Sequence, residues 1–119
     1  MGMTNETRSV VRLSGAIDVR SIGDAFDAIS EAVRGATAAG IGLDCDLTAV
    51  TEIDLTGLQL IESARRSMRE AGIAFRLVAP AQDMVRETLQ RAGFLSEPPD
   101  ERTLFWTAAS GSPVSGPTV

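Results

Sequence analysis

Ile53-Asp54-Leu55-Thr56-Gly57-Leu58 follows the triplet Asp46-Leu47-Thr48, with Asp54 eight positions after Asp46. On the N-terminal side, Ile41, Leu43, Cys45 and Leu47 alternate with Gly42, Asp44 and Asp46, the period of a strand with one buried face. On the C-terminal side, Leu58, Ile61, Ala64, Met68 and Ala71 recur at helical spacing opposite Gln59, Glu62, Arg66 and Arg69. Gly72 then stands where a left-handed helix cap is expected. The stretch is therefore a strand-to-helix junction with an acid and a hydroxyl at the turn. Thr48 to Glu52 read as a polar crossing before it, and Ile53 as a brief apolar return.

The same alternation of periods extends outward. Val10, Val11 and Leu13 leading into Gly15 read as a strand. Ile22, Ala25, Phe26, Ile29 and Val33 predict a helix over about residues 22–34, with Gly35 as its stop and residues 36–40 as a connection. Residues 75–79 form another strand, halted by Pro80, which has no N–H to donate. Val85, Leu89 and Ala92 mark a third helix closed by Gly93. Strands alternating with helices predict an α/β fold: a four- to five-stranded mixed, mainly parallel sheet with helices packed largely on one face.

After Leu95 the periodicity dissolves. The expected organisation is a flexible N-terminus at residues 1–8, a domain over 9–95, an extension over 96–109 and a disordered Gly-, Ser- and Pro-rich tail over 110–119. Within the extension, Leu104-Phe105-Trp106 form an apolar knot. Packing on the core is favoured for it over an added strand or an exposed docking element.

Composition narrows the function. The 119 residues, 44% hydrophobic, suffice for one core, and no apolar run approaches the roughly 20 residues that span a bilayer. No apolar leader follows a basic start, so a soluble, cytoplasmic protein without membrane insertion is expected. Cys45, the single cysteine, reads as a small core residue. With 16 acidic and 11 basic residues, a formal charge of −5 and no lysine, the chain is a poor match for nucleic acid. There is no histidine or tyrosine, no phosphate loop and no dinucleotide fingerprint. No metal, no cofactor and no enzymatic activity are expected.

Two readings of the junction coexist. Thr56 with Gln59 three residues later has the pattern of a capping box, worth about 1 kcal/mol. A phosphate on the same hydroxyl would meet free helix N–H groups while adding roughly −1.5 to −2 charges to the surface.

Gly15-Ala16-Ile17-Asp18, the run from Asp46 to Asp54, and Thr56-Gly57-Leu58 together resemble the STAS domain family, which includes bacterial anti-sigma factor antagonists. The similarity covers about residues 9–95. It implies a four- or five-stranded sheet with helices largely on one face, and no catalysis. It further implies a partner switch, in which a serine kinase that is itself an anti-sigma factor binds the unmodified domain. That kinase then phosphorylates a Ser or Thr directly after the aspartate, ending the complex. Here that position holds Leu55, and Thr56 stands one place further, about 100° round the helix.

Asp18 matches a family acid in the loop near the switch helix. The expected partner-binding residues are Asp18, Arg20, Asp54, Leu55, Gly57 and Leu58, with Thr56 as candidate phosphoacceptor. The expected function is a non-catalytic interaction module for an anti-sigma, serine kinase-like or other signalling protein. The alternatives, from the same resemblance, are a chemotaxis-associated STAS protein and the small structural STAS subunit of a phospholipid ABC transporter. A homodimer is a further expectation, if the first strand leaves a sheet edge for a second copy.

Overall fold

A computed structural model of the chain describes residues 8–108. Its elements are β1 (Arg8–Ile17), α1 (Ile22–Ala39), β2 (Gly42–Ile53), α2 (Leu55–Ala71), β3 (Phe75–Leu77), α3 (Asp83–Arg91) and α4 (Glu101–Thr107). The tail expected over 110–119, and all but Arg8 of the N-terminus expected to be flexible, lie outside the described residues. The α/β class and the parallel pairing match the sequence reading. Among the described residues, however, the sheet has three strands rather than four or five, in the order β1-β2-β3, and it is parallel throughout rather than mixed.

Strand alternation gives the sheet two unlike faces. Val11, Leu13, Leu43, Cys45, Phe75 and Leu77 are buried, together with Ala25 and Ile29 of α1 and Leu58, Ile61 and Met68 of α2. Each fully buried Leu, Ile or Met side chain contributes about 1.5–3 kcal/mol. The opposite face is charged, and its signs alternate from strand to strand. Arg8 pairs with Asp44 at 2.6 Å, Asp44 lies 3.8 Å from Arg76, and Arg12 reaches Asp46 at 3.3 Å. Burial raises the Cys45 thiol to about 12, so it has no nucleophilic form near neutrality.

Several boundaries differ from the sequence reading; β1, for one, runs through Gly15 to Ile17. Gly35 does not stop α1, which continues to Ala39 because Ala36 still has a core to pack against; Gly40, φ 69°, ends it instead. Residues 48–52 are not a crossing. β2 runs through them because Ala49, Val50 and Glu52 pair with Ser14, Gly15 and Ala16 of β1 across two register shifts. Their polarity reflects an exposed strand, not a break. β3 ends at Leu77, two residues early. Gly72 does cap α2 as expected, at φ 74°.

The apolar knot is a helix. Trp106 of α4 is fully buried, and its indole Nε1–H donates to Glu62 Oε2 at 3.0 Å. Glu62, expected on the solvent face of α2, is only 3% exposed. Arg65 meets the same carboxylate twice, Nε on Oε2 at 3.1 Å and Nη2 on Oε1 at 3.0 Å. Phe105 stacks on Phe75 with ring centroids 5.3 Å apart, and Arg69 pairs with Glu101 at 3.0 Å. The segment set apart as an extension thus completes the core.

Candidate functional site

The end of β1 and the start of α2 are tied together through one side chain. Asp54 is the residue before α2, and its backbone N–H donates to Ile17 O at 3.2 Å. Its Oδ1 accepts from Gly57 N at 3.2 Å and its Oδ2 from Val19 N at 3.2 Å. One carboxylate oxygen therefore caps the helix, and the other holds the loop between β1 and α1. The cap is Asp54, not Thr56. Because Asp and Thr are both good capping residues two positions apart, the pattern alone leaves the choice to the tertiary partner, here the Val19 N–H.

That loop is organised by its own acid. Asp18 Oδ1 accepts from Arg20 N at 3.0 Å and Ser21 N at 3.1 Å, closing an Asx turn. The Ser21 hydroxyl donates to Ala16 O at 2.6 Å and accepts from Asp18 N at 3.1 Å. Asp18 and Asp54 thus serve adjoining backbone corners, and both are half-buried. Around them Val19 is 68% and Leu55 48% exposed, Arg20 is exposed, and Thr56 is half-buried.

Two of the residues expected to meet a partner lie inside instead. Leu58 is fully buried and has no side-chain surface to offer. Gly57 is also buried, and the close approach it permits is internal. A Cβ there would stand 2.7 Å from Ile53 Cγ1, 2.9 Å from Ile17 Cγ2 and 3.0 Å from Ile17 O. Gly57→Ala is therefore expected to destabilise by about 1–2 kcal/mol, because overpacking against two β-branched chains and a carbonyl exceeds the gain in helix propensity. Urea unfolding followed by circular dichroism measures it, and a stabilised variant would contradict the packing. Val19 was missed by the sequence reading. Its signal was an apolar residue between Asp18 and Arg20 in a loop, too short to show a period.

Hydrogen bonding sets the acid response. Partial burial pushes the Asp18 carboxyl up, but the N–H groups of Ser21 and Arg20 outweigh it and hold it below its ordinary value. Asp46 is lowered by the Thr48 hydroxyl and N–H, and Asp100 by the hydroxyl and N–H of Thr103. Groups lowered in the folded state contribute stability above the unfolded value of 3.8 and lose it as pH falls through the folded values. Denaturant midpoints are accordingly expected to stay level in weakly acidic buffer and to drop below about pH 4. Asp18→Asn should flatten part of that drop.

The STAS domain family model matches residues 3–110. The chain belongs to the STAS domain family. The match passes residue 95 and takes in α4, in keeping with the burial of Trp106. No curated protein matches the chain. STAS domains are in general non-catalytic modules that mediate protein–protein interactions. Among the described residues, no group of three or more His, Cys, Asp or Glu is placed to hold a metal ion. No helix among them is long and apolar enough to cross a membrane.

Proposed function

We propose that this STAS domain is a non-catalytic, cytoplasmic docking module, akin to anti-sigma factor antagonists, for a kinase-like anti-sigma or other signalling protein. Its contact surface is the paired corner of the β1–α1 loop and the start of α2. The observation that carries this reading is the Asp54 carboxylate, which holds both corners at once and leaves Val19 and Leu55 exposed between Asp18, Arg20 and Thr56. Apolar area with a charged rim, on a backbone held in place before binding, is what an interface needs to limit the entropy lost on association.

Leu55 is central because it occupies the position that follows the aspartate, where the family pattern has a phosphorylatable residue. In this chain that position supplies apolar contact, and Thr56 is the hydroxyl available for modification. Titration calorimetry against serine kinase-type anti-sigma proteins tests the reading. Leu55→Asp is expected to weaken binding at least roughly tenfold, the effect of about 1.4 kcal/mol. Its stability should change by no more than about 0.5 kcal/mol, as for other surface substitutions. Thr56→Glu separates a switch from a constant contact: loss of binding supports phosphoregulation, and unchanged affinity rejects it. Full affinity in Leu55→Asp would overturn the assigned surface.

A further inference from the structure

A groove of about 360 Å³ lies against β3, away from the Asp54 corner in the chain's elements. It is lined by five consecutive residues, Ile73 to Leu77, by Arg65 and Arg69 of α2, and by Leu104 and Phe105 of α4. The strand's hydrogen bonding shows which backbone groups face it. Ala74 O accepts from Leu43 N, and Val78 N donates to Cys45 O, so the even-numbered residues serve β2. In a parallel ladder the intervening residue, Phe75, then directs its N–H and C=O to the other side. Among the described residues β3 has no strand on that side.

Charge specifies what would fit. On the open sheet face the signs run Arg8, Asp44, Arg76 from β1 to β3. The next strand in that row would present an acid. Arg76 Nε is shielded from water and has no hydrogen-bond partner among the described residues, its approach to Asp44 being 3.8 Å. The other two lining arginines are already engaged, Arg65 by Glu62 at 3.0 Å and Arg69 by Glu101 at 3.0 Å. On the helix-facing side, residues flanking that acid would meet Phe75, Phe105 and the exposed Leu104.

We propose that this groove docks an extended segment of a partner protein, with an acidic residue between two apolar ones, as an added strand along the free edge of β3. Main-chain bonds would supply affinity, and the alternating side chains selectivity. The site is separate from the corner assigned above and does not depend on it.

The test uses two synthetic hexapeptides, acetyl-Glu-Val-Glu-Val-Glu-Val-amide and its counterpart with Lys in place of each Glu, titrated into the isotopically labelled full chain. The acidic peptide is expected to shift the Phe75 amide and the Arg76 Nε–H resonances and to slow exchange of the Phe75 amide. The lysine peptide should bind roughly fivefold or more weakly, and Arg76→Glu should reverse the preference, as expected for a cross-strand charge pair worth up to about 1 kcal/mol. Equal binding of the two peptides to the unaltered chain, or no shift at Phe75, would overturn the proposal. So would a Phe75 amide that already exchanges as slowly as core amides in the free chain, since the edge would then be covered by the chain itself or a second copy.

Discussion

Trp106→Ala is expected to lower the unfolding free energy by about 3–5 kcal/mol, a large part of what a domain of this size has. The indole is fully buried, so truncation leaves a cavity, and the seven-residue α4 has little else to hold it. The loss also strips the Glu62 carboxylate of its indole donor. Trp106→Phe separates the two effects. It keeps most of the apolar volume but loses the N–H, so its cost should be nearer the roughly 1.5–3 kcal/mol of a hydrogen bond to a charged group, with a smaller cavity than the alanine variant leaves. Urea unfolding followed by circular dichroism reads both. A loss below about 1 kcal/mol for the alanine variant would mean that α4 is not an integral layer of the core. A chain ending at Leu95 is expected to behave at least as badly, because it lacks the whole of α4.

Glu62→Ala is the second large effect, at about 3–5 kcal/mol. Glu62 and Arg65 are 4% and 13% exposed at their side chains, so removing the carboxylate leaves a guanidinium and an indole N–H without their acceptor. The pair itself need not be strongly stabilising, since desolvating both ions offsets much of their attraction. What is costly is half of it. Glu62→Gln keeps an acceptor for Trp106 and is expected to fall between the wild type and the alanine variant. A cycle combining Glu62→Ala with Trp106→Phe should be non-additive by about 0.5–3 kcal/mol, because the two changes delete the same bond. Additive losses would show that the indole and the carboxylate stabilise the fold independently.

The order of strands and helices through α3, the inward Cys45 and the Gly72 cap were legible in the chain, because each rests on a period or on a local backbone demand; the adjoining corners at Asp18 and Asp54 were legible only through the family resemblance. Other features depended on partners distant in sequence. Glu62 reads as a solvent-face residue from α2 alone, and only Trp106, 44 positions away, makes it buried. The seven residues of α4 are too few to display a helical period, and three successive apolar residues suit a strand equally well. Gly35 looks like a stop until Ala36 is seen to reach the core. At the site, Leu58 continues the α2 stripe that the spacing places inside, and the family pattern alone drew it toward the surface. Gly57 carries no side-chain signal at all, and its role follows from Ile17 and Ile53 crowding its Cα.

The bond between Glu62 and Trp106 also sets an order on biosynthesis. A ribosome adding about 5–20 residues per second needs a few seconds to travel the 44 positions that separate them. When that interval begins the nascent chain already contains β1, α1 and β2, with α2 still being made; until α4 follows, Glu62 has no indole donor and Phe75, once made, has no Phe105 to stack on. The core closes only when α4 is free to pack, because Trp106 supplies the donor to Glu62 and Phe105 the cover over Phe75.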